Sequence, residues 1–267
     1  MLRSRSVISS PILRSFVAAT GIVLFAAAAA FAQQKPKLVL VGDSTVNNSG
    51  GDFRGWGNVI GEYFDPAKIE VVNKARGGRS SRTFITEGLW DQVKPTLAKG
   101  DIVLIQFGHN DGGSLDKDRA RGSLKGIGNE TQDVTIEATQ KKETIRTFGS
   151  YLRTYVADAK AKGAMVVLLS PVPRNRWTDN KVERAANNYG GWSKAIAKET
   201  SVYFVDLNEL TAAKYEKIGA VKVASDFFTT VDNTHTSMAG ARVNAESVVE
   251  GLKKIKQLKI DRFLVKG

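Results

Sequence analysis

Lys37-Leu38-Val39-Leu40-Val41-Gly42-Asp43-Ser44-Thr45 is the stretch that decides the fold. Lys37 to Val41 is a short apolar run, and strongly polar residues follow as soon as it ends at Gly42. A strand that is apolar at successive positions rather than alternate ones suits burial on both faces, as in a parallel sheet. Four further runs resemble it: Ile69 to Asn73, Asp101 to Phe107, Ala164 to Ser170 and Val202 to Asp206. Between them the spacing predicts helices over 56–64, 82–98, 141–162 and 182–199, with a last helix over 238–258. Alternation of strand and helix predicts an α/β fold with an open, five-stranded parallel sheet covered on both faces. There is no internal repeat, and residues 33–267 read as a single domain.

The chain has 267 residues, 39 Lys and Arg against 27 Asp and Glu, and no cysteine. Without sulfur there is no disulfide scaffold, thiolate metal site or cysteine nucleophile. Only two histidines, His109 and His235, are present, so a histidine-based zinc cluster is disfavoured and no metal is expected. At the N-terminus, Arg3, Arg5 and Arg14 precede an uncharged run from Phe16 to Phe31 that closes on Ala30-Phe31-Ala32. Residues 1–32 read as a signal peptide, with an uncleaved membrane anchor as the rival reading. Its removal takes away three arginines and no acid, lowering the net charge from +12 to +9 over the remaining 235 residues. The expected product is exported, periplasmic or secreted, monomeric, and without stable membrane association. Its positive charge suits polyanions, but no run of five Lys or Arg and no aromatic nucleic-acid motif is present, so nucleic acid is not expected as a partner.

Open parallel sheets bind ligands at the carboxyl ends of their strands. Those ends are polar here: Gly42-Asp43-Ser44-Thr45, Gly77-Gly78-Arg79-Ser80, Gly108-His109-Asn110-Asp111, and Pro171 through Trp177. Ser44 is a candidate nucleophile, although a serine after a strand equally suits a helix N-cap. His235, three residues after Asp232, is a candidate base whose ring a carboxylate can orient; the competing reading is capping by Asp232 beside an exposed histidine. Gly78 and Asn110 are candidate oxyanion donors, and each also fits a tight turn. A G-x-S-x-G elbow, a G-x-x-x-x-G-K-[ST] loop and a G-x-G-x-x-G fingerprint after the first strand are all absent.

Taken in order, Gly42-Asp43-Ser44-Thr45, Gly78, Gly108-His109-Asn110-Asp111 and Asp232-Asn233-Thr234-His235 resemble the blocks of the SGNH (GDSL-type) hydrolases. Within that superfamily the chain is most similar to the rhamnogalacturonan acetylesterase branch, through Asn73 to Arg82, Phe107 to Asp111 and Ser170 to Trp177. The resemblance implies a three-layer α/β/α sandwich of flavodoxin-like type and a carboxylic ester hydrolase that needs no cofactor. It implies Ser44 as nucleophile, His235 as base, Asp232 as its orienting partner, and Ser44, Gly78 and Asn110 as the oxyanion hole. Thr45 replaces the leucine of the GDSL name, which weakens a lipase reading, and the segment 112–140 matches no known substrate contact.

Arg79, Arg82, Arg174 and Arg176 fall in or beside the site segments, and guanidinium groups bind carboxylates. With Trp177 as an aromatic platform, they suit an acetylated acidic polysaccharide; the competing reading is that each arginine is solvated or paired with Asp or Glu. The expected activity is deacetylation of pectic rhamnogalacturonan. Acetylxylan or broad short-chain esterase activity is the alternative, and a non-catalytic carbohydrate-binding protein a distant third.

Overall fold

In a computed structural model, which describes residues 1–2, 35–229 and 232–266, the five apolar runs form one sheet. Its strands are β1 (Lys37–Gly42), β2 (Glu70–Asn73), β3 (Ile102–Gln106), β4 (Met165–Leu169) and β5 (Tyr203–Val205). All neighbours are parallel, in the order β2-β1-β3-β4-β5. The expected signal peptide, apart from its first two residues, lies outside the described residues. Residues from Lys35 onward cluster into one unit.

The alternating side chains of each strand feed two separate cores, which is why the runs are apolar throughout. Leu38, Leu40, Ile102, Leu104, Val167 and Leu169 face one side, where they pack with Trp56, Ile60 and the Ala245–Val248–Leu252 stripe. Val39, Val41, Val103, Ile105, Val166 and Leu168 face the other, against Phe84, Trp90, Tyr155 and Ile196. The first face is covered by α7 (Met238–Lys253) with α5 (Leu207–Ile218) beside it, and the second by α1 (Thr83–Thr86), α2 (Leu89–Val93), α3 (Phe148–Ala161) and α4 (Tyr189–Glu199). The result is the three-layer α/β/α architecture. A third cluster, Val182, Ala212, Tyr215, Val223, Phe227 and Phe228, involves α5 and α6 (Ala220–Phe227) and supports the hairpin that carries His235.

Several helix boundaries differ from the sequence expectation. The 56–64 stretch is two 3-10 turns, Trp56–Asn58 and Ile60–Tyr63. The 82–98 stretch is interrupted at Gly88, whose φ of 74° interrupts the helical path. Residues 142–146, expected to open a long helix, pair antiparallel with 131–135, so the helix begins only after the Thr147 side chain accepts from Ser150 N–H. Likewise Lys181–Val182 pairs with Trp177–Thr178, and the helix expected from 182 starts at Tyr189. Helices α5 and α6 are additional to those expected. Among the described residues, no helix is long and apolar enough to cross a membrane.

Candidate active site

The strand order reverses between β1 and β3, so the chain leaves these strands in opposite directions and opens a crevice at their carboxyl ends. Ser44 follows β1 in a single tight turn in which Val46 and Asn47 N–H both donate to Asp43 O. Gly42 is required there, because a Cβ at that position would lie 2.6 Å from both Gln106 O and a Val46 methyl. Ser44 is half-buried and does not act as a helix cap; its hydroxyl lies 2.7 Å from His235 Nε2. His235 Nδ1 lies 2.6 Å from Asp232 Oδ2, within the strand segment Asp232–Thr236.

Asp232 is held in place by its other oxygen, Oδ1, which accepts from the backbone N–H of Thr234 at 2.6 Å and His235 at 2.9 Å. Burial acts to raise its pKa, but the hydrogen bonds from the His235 ring and these two amides outweigh burial and hold it below the ordinary aspartate value. An ionised Asp232 on Nδ1 fixes the ring with Nδ1 protonated and Nε2 free to accept the Ser44 proton. The Phe53 ring packs 5.5 Å from the imidazole, centroid to centroid. Ser237 caps α7 directly after this segment, its hydroxyl accepting from Gly240 N–H.

Gly78 and Asn110 arrive at the same crevice from β2 and β3. A Cβ on Gly77 would lie 3.6 Å from Ser44 Cβ, and Asn110 Nδ2 donates to Arg79 O at 2.8 Å, one residue beyond Gly78. That bond uses one of the two amide hydrogens of Asn110 and leaves the other. Among the described residues, the backbone N–H groups of Ser44 and Gly78 have no acceptor. Unsatisfied amides beside a nucleophile are what a developing oxyanion requires.

Beneath the Ser44 turn lies a buried network around Asp43 and His109. Asp43 accepts from Thr45 N–H at 2.9 Å and Thr45 Oγ1 at 2.8 Å, and its second oxygen lies 3.3 Å from His109 Nδ1. Burial raises the Asp43 pKa, and the neighbouring His109 with these hydrogen bonds brings it below the usual value. His109 Nε2 contacts Val172 O at 2.9 Å, which ties β1, β3 and β4 together at their carboxyl ends.

The four arginines named from sequence fare differently. Arg79 is paired with Glu87 at 2.8 Å and braces Gly77 O. Arg82 is 1% exposed, paired with Glu143, and serves the interior rather than the crevice. Arg174 donates to Thr234 Oγ1 and His109 O and, like Arg176, lines a cavity of about 440 Å³ next to Asn110. Arg176 lies 3.8 Å from Glu183 at the surface. Trp177 is half-buried against the third cluster, with its indole N–H on Asn175 Oδ1; it is not among the cavity's lining residues. Two arginines not expected, Arg119 and Arg121, reach the site from the 112–140 segment; the signal was the charge alternation of Asp116-Lys117-Asp118-Arg119. Among the described residues, no group of three or more His, Asp or Glu is arranged to hold a metal ion.

The sequence model of the GDSL-like lipase/acylhydrolase family matches residues 40–243, which includes every block described above. The chain belongs to this family. As a family member it is a carboxylic ester hydrolase. Rhamnogalacturonan acetylesterase of Emericella nidulans is 35% identical to it over 80% of this chain and 84% of that protein. The crystal structure of the Bacillus subtilis protein YxiM superposes with a TM-score of 0.66 at 25% identity, covering 83% of this chain and 57% of that one. An acetylxylan esterase from Geobacillus stearothermophilus shares the fold at a TM-score of 0.54 and 20% identity, over 81% of this chain and 94% of that one.

Proposed function

We propose that this hydrolase removes O-acetyl groups from pectic rhamnogalacturonan. Ser44 Oγ attacks the acetyl carbonyl while His235 Nε2 takes its proton, and Asp232 stabilises the imidazolium. The tetrahedral oxyanion accepts from Ser44 N–H, Gly78 N–H and the Asn110 side-chain amide. Collapse breaks the ester bond, and His235 returns the proton to the departing sugar hydroxyl. Water, deprotonated by His235, then attacks the acetyl-enzyme and releases acetate and free Ser44.

The observation that carries this reading is the continuous chain from Ser44 Oγ to His235 at 2.7 Å and from His235 to Asp232 at 2.6 Å. The pectic substrate is supported by the similarity to the rhamnogalacturonan acetylesterase of Emericella nidulans. The likeness to the acetylxylan esterase, at 20% identity, speaks for the fold and not for xylan. All three residues of the Ser-His-Asp chain come from one polypeptide, so the triad is complete without a second copy. The basic, apolar N-terminal segment 1–32 supports export to the periplasm or medium, where such a polymer is met.

Labelling with a serine-reactive fluorophosphonate tests the nucleophile. Mass spectrometry is expected to place one adduct on Ser44, and acetylated rhamnogalacturonan is expected to slow labelling more than acetylxylan does. An unlabelled Ser44 in folded protein contradicts the mechanism, and stronger protection by xylan contradicts the substrate.

A further inference from the structure

We propose that Arg119, Arg121 and Arg174 form a carboxylate-binding wall that holds a uronate group of the polymer within one sugar ring of the ester being cleaved. This rests on the deacetylase reading above and adds to it the residues that read the charge of the substrate.

Their position is fixed by the crevice itself. Arg121 Nη1 donates to Gly78 O at 3.3 Å, and Arg119 Nη2 lies 3.0 Å from the point where a Cβ on Gly78 would project. Arg121 and Arg174 line the same cavity as Asn110. A guanidinium that touches Gly78 therefore stands next to the unsatisfied amides around Ser44.

Their charge is also uncommitted. Arginines elsewhere in the fold meet carboxylates, as in Arg153–Glu199, Arg184–Glu209 and Arg242–Glu62. Among the described residues, none of Arg119, Arg121 and Arg174 takes part in an ion pair. The nearby carboxylates of Asp43, Asp111 and Asp232 are spent on Thr45, His109, Ser81, Ser123 and His235, and Glu183, which also lines the cavity, faces Arg176. Burial first, and then the neighbouring Arg119 and Arg176 guanidiniums, lower the pKa of Arg121 and Arg174 respectively. A carboxylate entering this wall relieves that like-charge crowding, and its two oxygens match the planar fork of a guanidinium.

The loop that carries the wall is built to stay in place. Gly122 N–H donates to Ser114 O at 2.8 Å, and the buried Arg82 donates to Leu115 O and Gly122 O, both at 2.8 Å. Arg119 stands at the tip of the turn closed by Ala120 N–H on Lys117 O at 2.7 Å. Arg119 and Arg121 are thus presented by a fixed backbone, and Arg174 is held from the other side by Thr234 and His109, so little order need be gained on binding.

The test compares acetylated rhamnogalacturonan with the same polymer after its carboxylates are reduced to primary alcohols. The wild-type kcat/KM is expected to favour the charged polymer by about tenfold or more, roughly 1.4 kcal/mol per factor of ten, and the Arg119→Gln/Arg121→Gln protein to favour it by no more than about twofold. Arg121→Lys is expected to fall between them, because it keeps the charge and loses the fork. Arg119→Gln alone changes an exposed side chain and safeguards against a folding defect in the double variant. A wild-type ratio near one, or an unchanged ratio in the variants, overturns the inference while leaving the deacetylase intact. Failure of the wild type to release acetate from either polymer overturns the deacetylase reading and the inference together.

Discussion

Arg82 and Glu143 form an ion pair of 2.7 Å in the interior, on which the 112–122 loop depends. Arg82 is 1% exposed, and its second nitrogen, Nη1, satisfies the carbonyls of Leu115 and Gly122. Removing one partner of a buried pair leaves the other charged and unpaired, at a cost of about 3–5 kcal/mol. Arg82→Met also deprives two loop carbonyls of their donor. Urea denaturation of this variant is expected to show a loss in that range, together with a raised KM on polymer from the displaced loop. A variant as stable as the wild type contradicts this role.

In the proposed mechanism Asp232, 2.6 Å from His235 Nδ1, orients the ring and keeps Nδ1 protonated. Asp232→Asn retains the size but offers Nδ1 an amide that favours the other tautomer. The expected result is a fall in kcat of about 10⁴-fold with little change in thermal stability. An effect on KM alone is the opposing result, and steady-state kinetics on a soluble acetyl ester separates the two.

Asp111 gives the fold a distinctive pH dependence. Its carboxyl is fully enclosed, and burial, only partly offset by hydrogen bonds from Ser81 and Ser123, raises its pKa from 3.8 to about 6. A raised aspartate pKa means that the folded state binds the proton more tightly than the unfolded chain does. The stabilisation is therefore complete below the unfolded value and disappears as pH rises through about 6, a difference of about 3 kcal/mol. Asp43 and Asp232, whose values are lowered, act in the opposite sense: their stabilisation is present above 3.8 and is lost as pH falls through their lower folded values. Unfolding free energies of wild type and Asp111→Asn across pH 4–7 are expected to show this slope in the wild type alone; parallel curves contradict the assignment.

Gly108 has a φ of 134°, and a Cβ there would lie 2.8 Å from Tyr189 Cβ. Gly108→Ala is expected to lose about 1–3 kcal/mol of stability. It should also lower kcat, since Asn110 is two residues on. A variant with full stability shows that the turn relaxes freely.

The five strands were legible because burial on both faces leaves each run apolar without interruption, as in Leu38 to Val41. Ser44, Gly78, Asn110, Asp232 and His235 could be named as candidates because they lie in polar segments beyond the apolar runs or ahead of the last helix, and because those segments in order resemble the SGNH blocks. The charged residues 142–146 resembled a helix opening because the antiparallel partner that makes them a strand lies at 131–135 and carries no strong apolar pattern. Helices α5 and α6 escaped notice because part of their apolar surface supports a local cluster rather than the main cores. Arg119 and Arg121 could not be placed from sequence, since their approach to Gly78 depends on the tertiary bonds made by Arg82.

Deacetylation of an acidic pectic polymer by Ser44, driven by His235 and Asp232, is read most directly from acetate release from acetylated rhamnogalacturonan, measured beside acetylxylan and with Ser44→Ala protein of equal folded content. Fast release from the pectic polymer, slower release from xylan, and a fall of at least about 10⁴-fold in the variant are expected. Equal release by Ser44→Ala contradicts the mechanism, and preference for xylan contradicts the substrate.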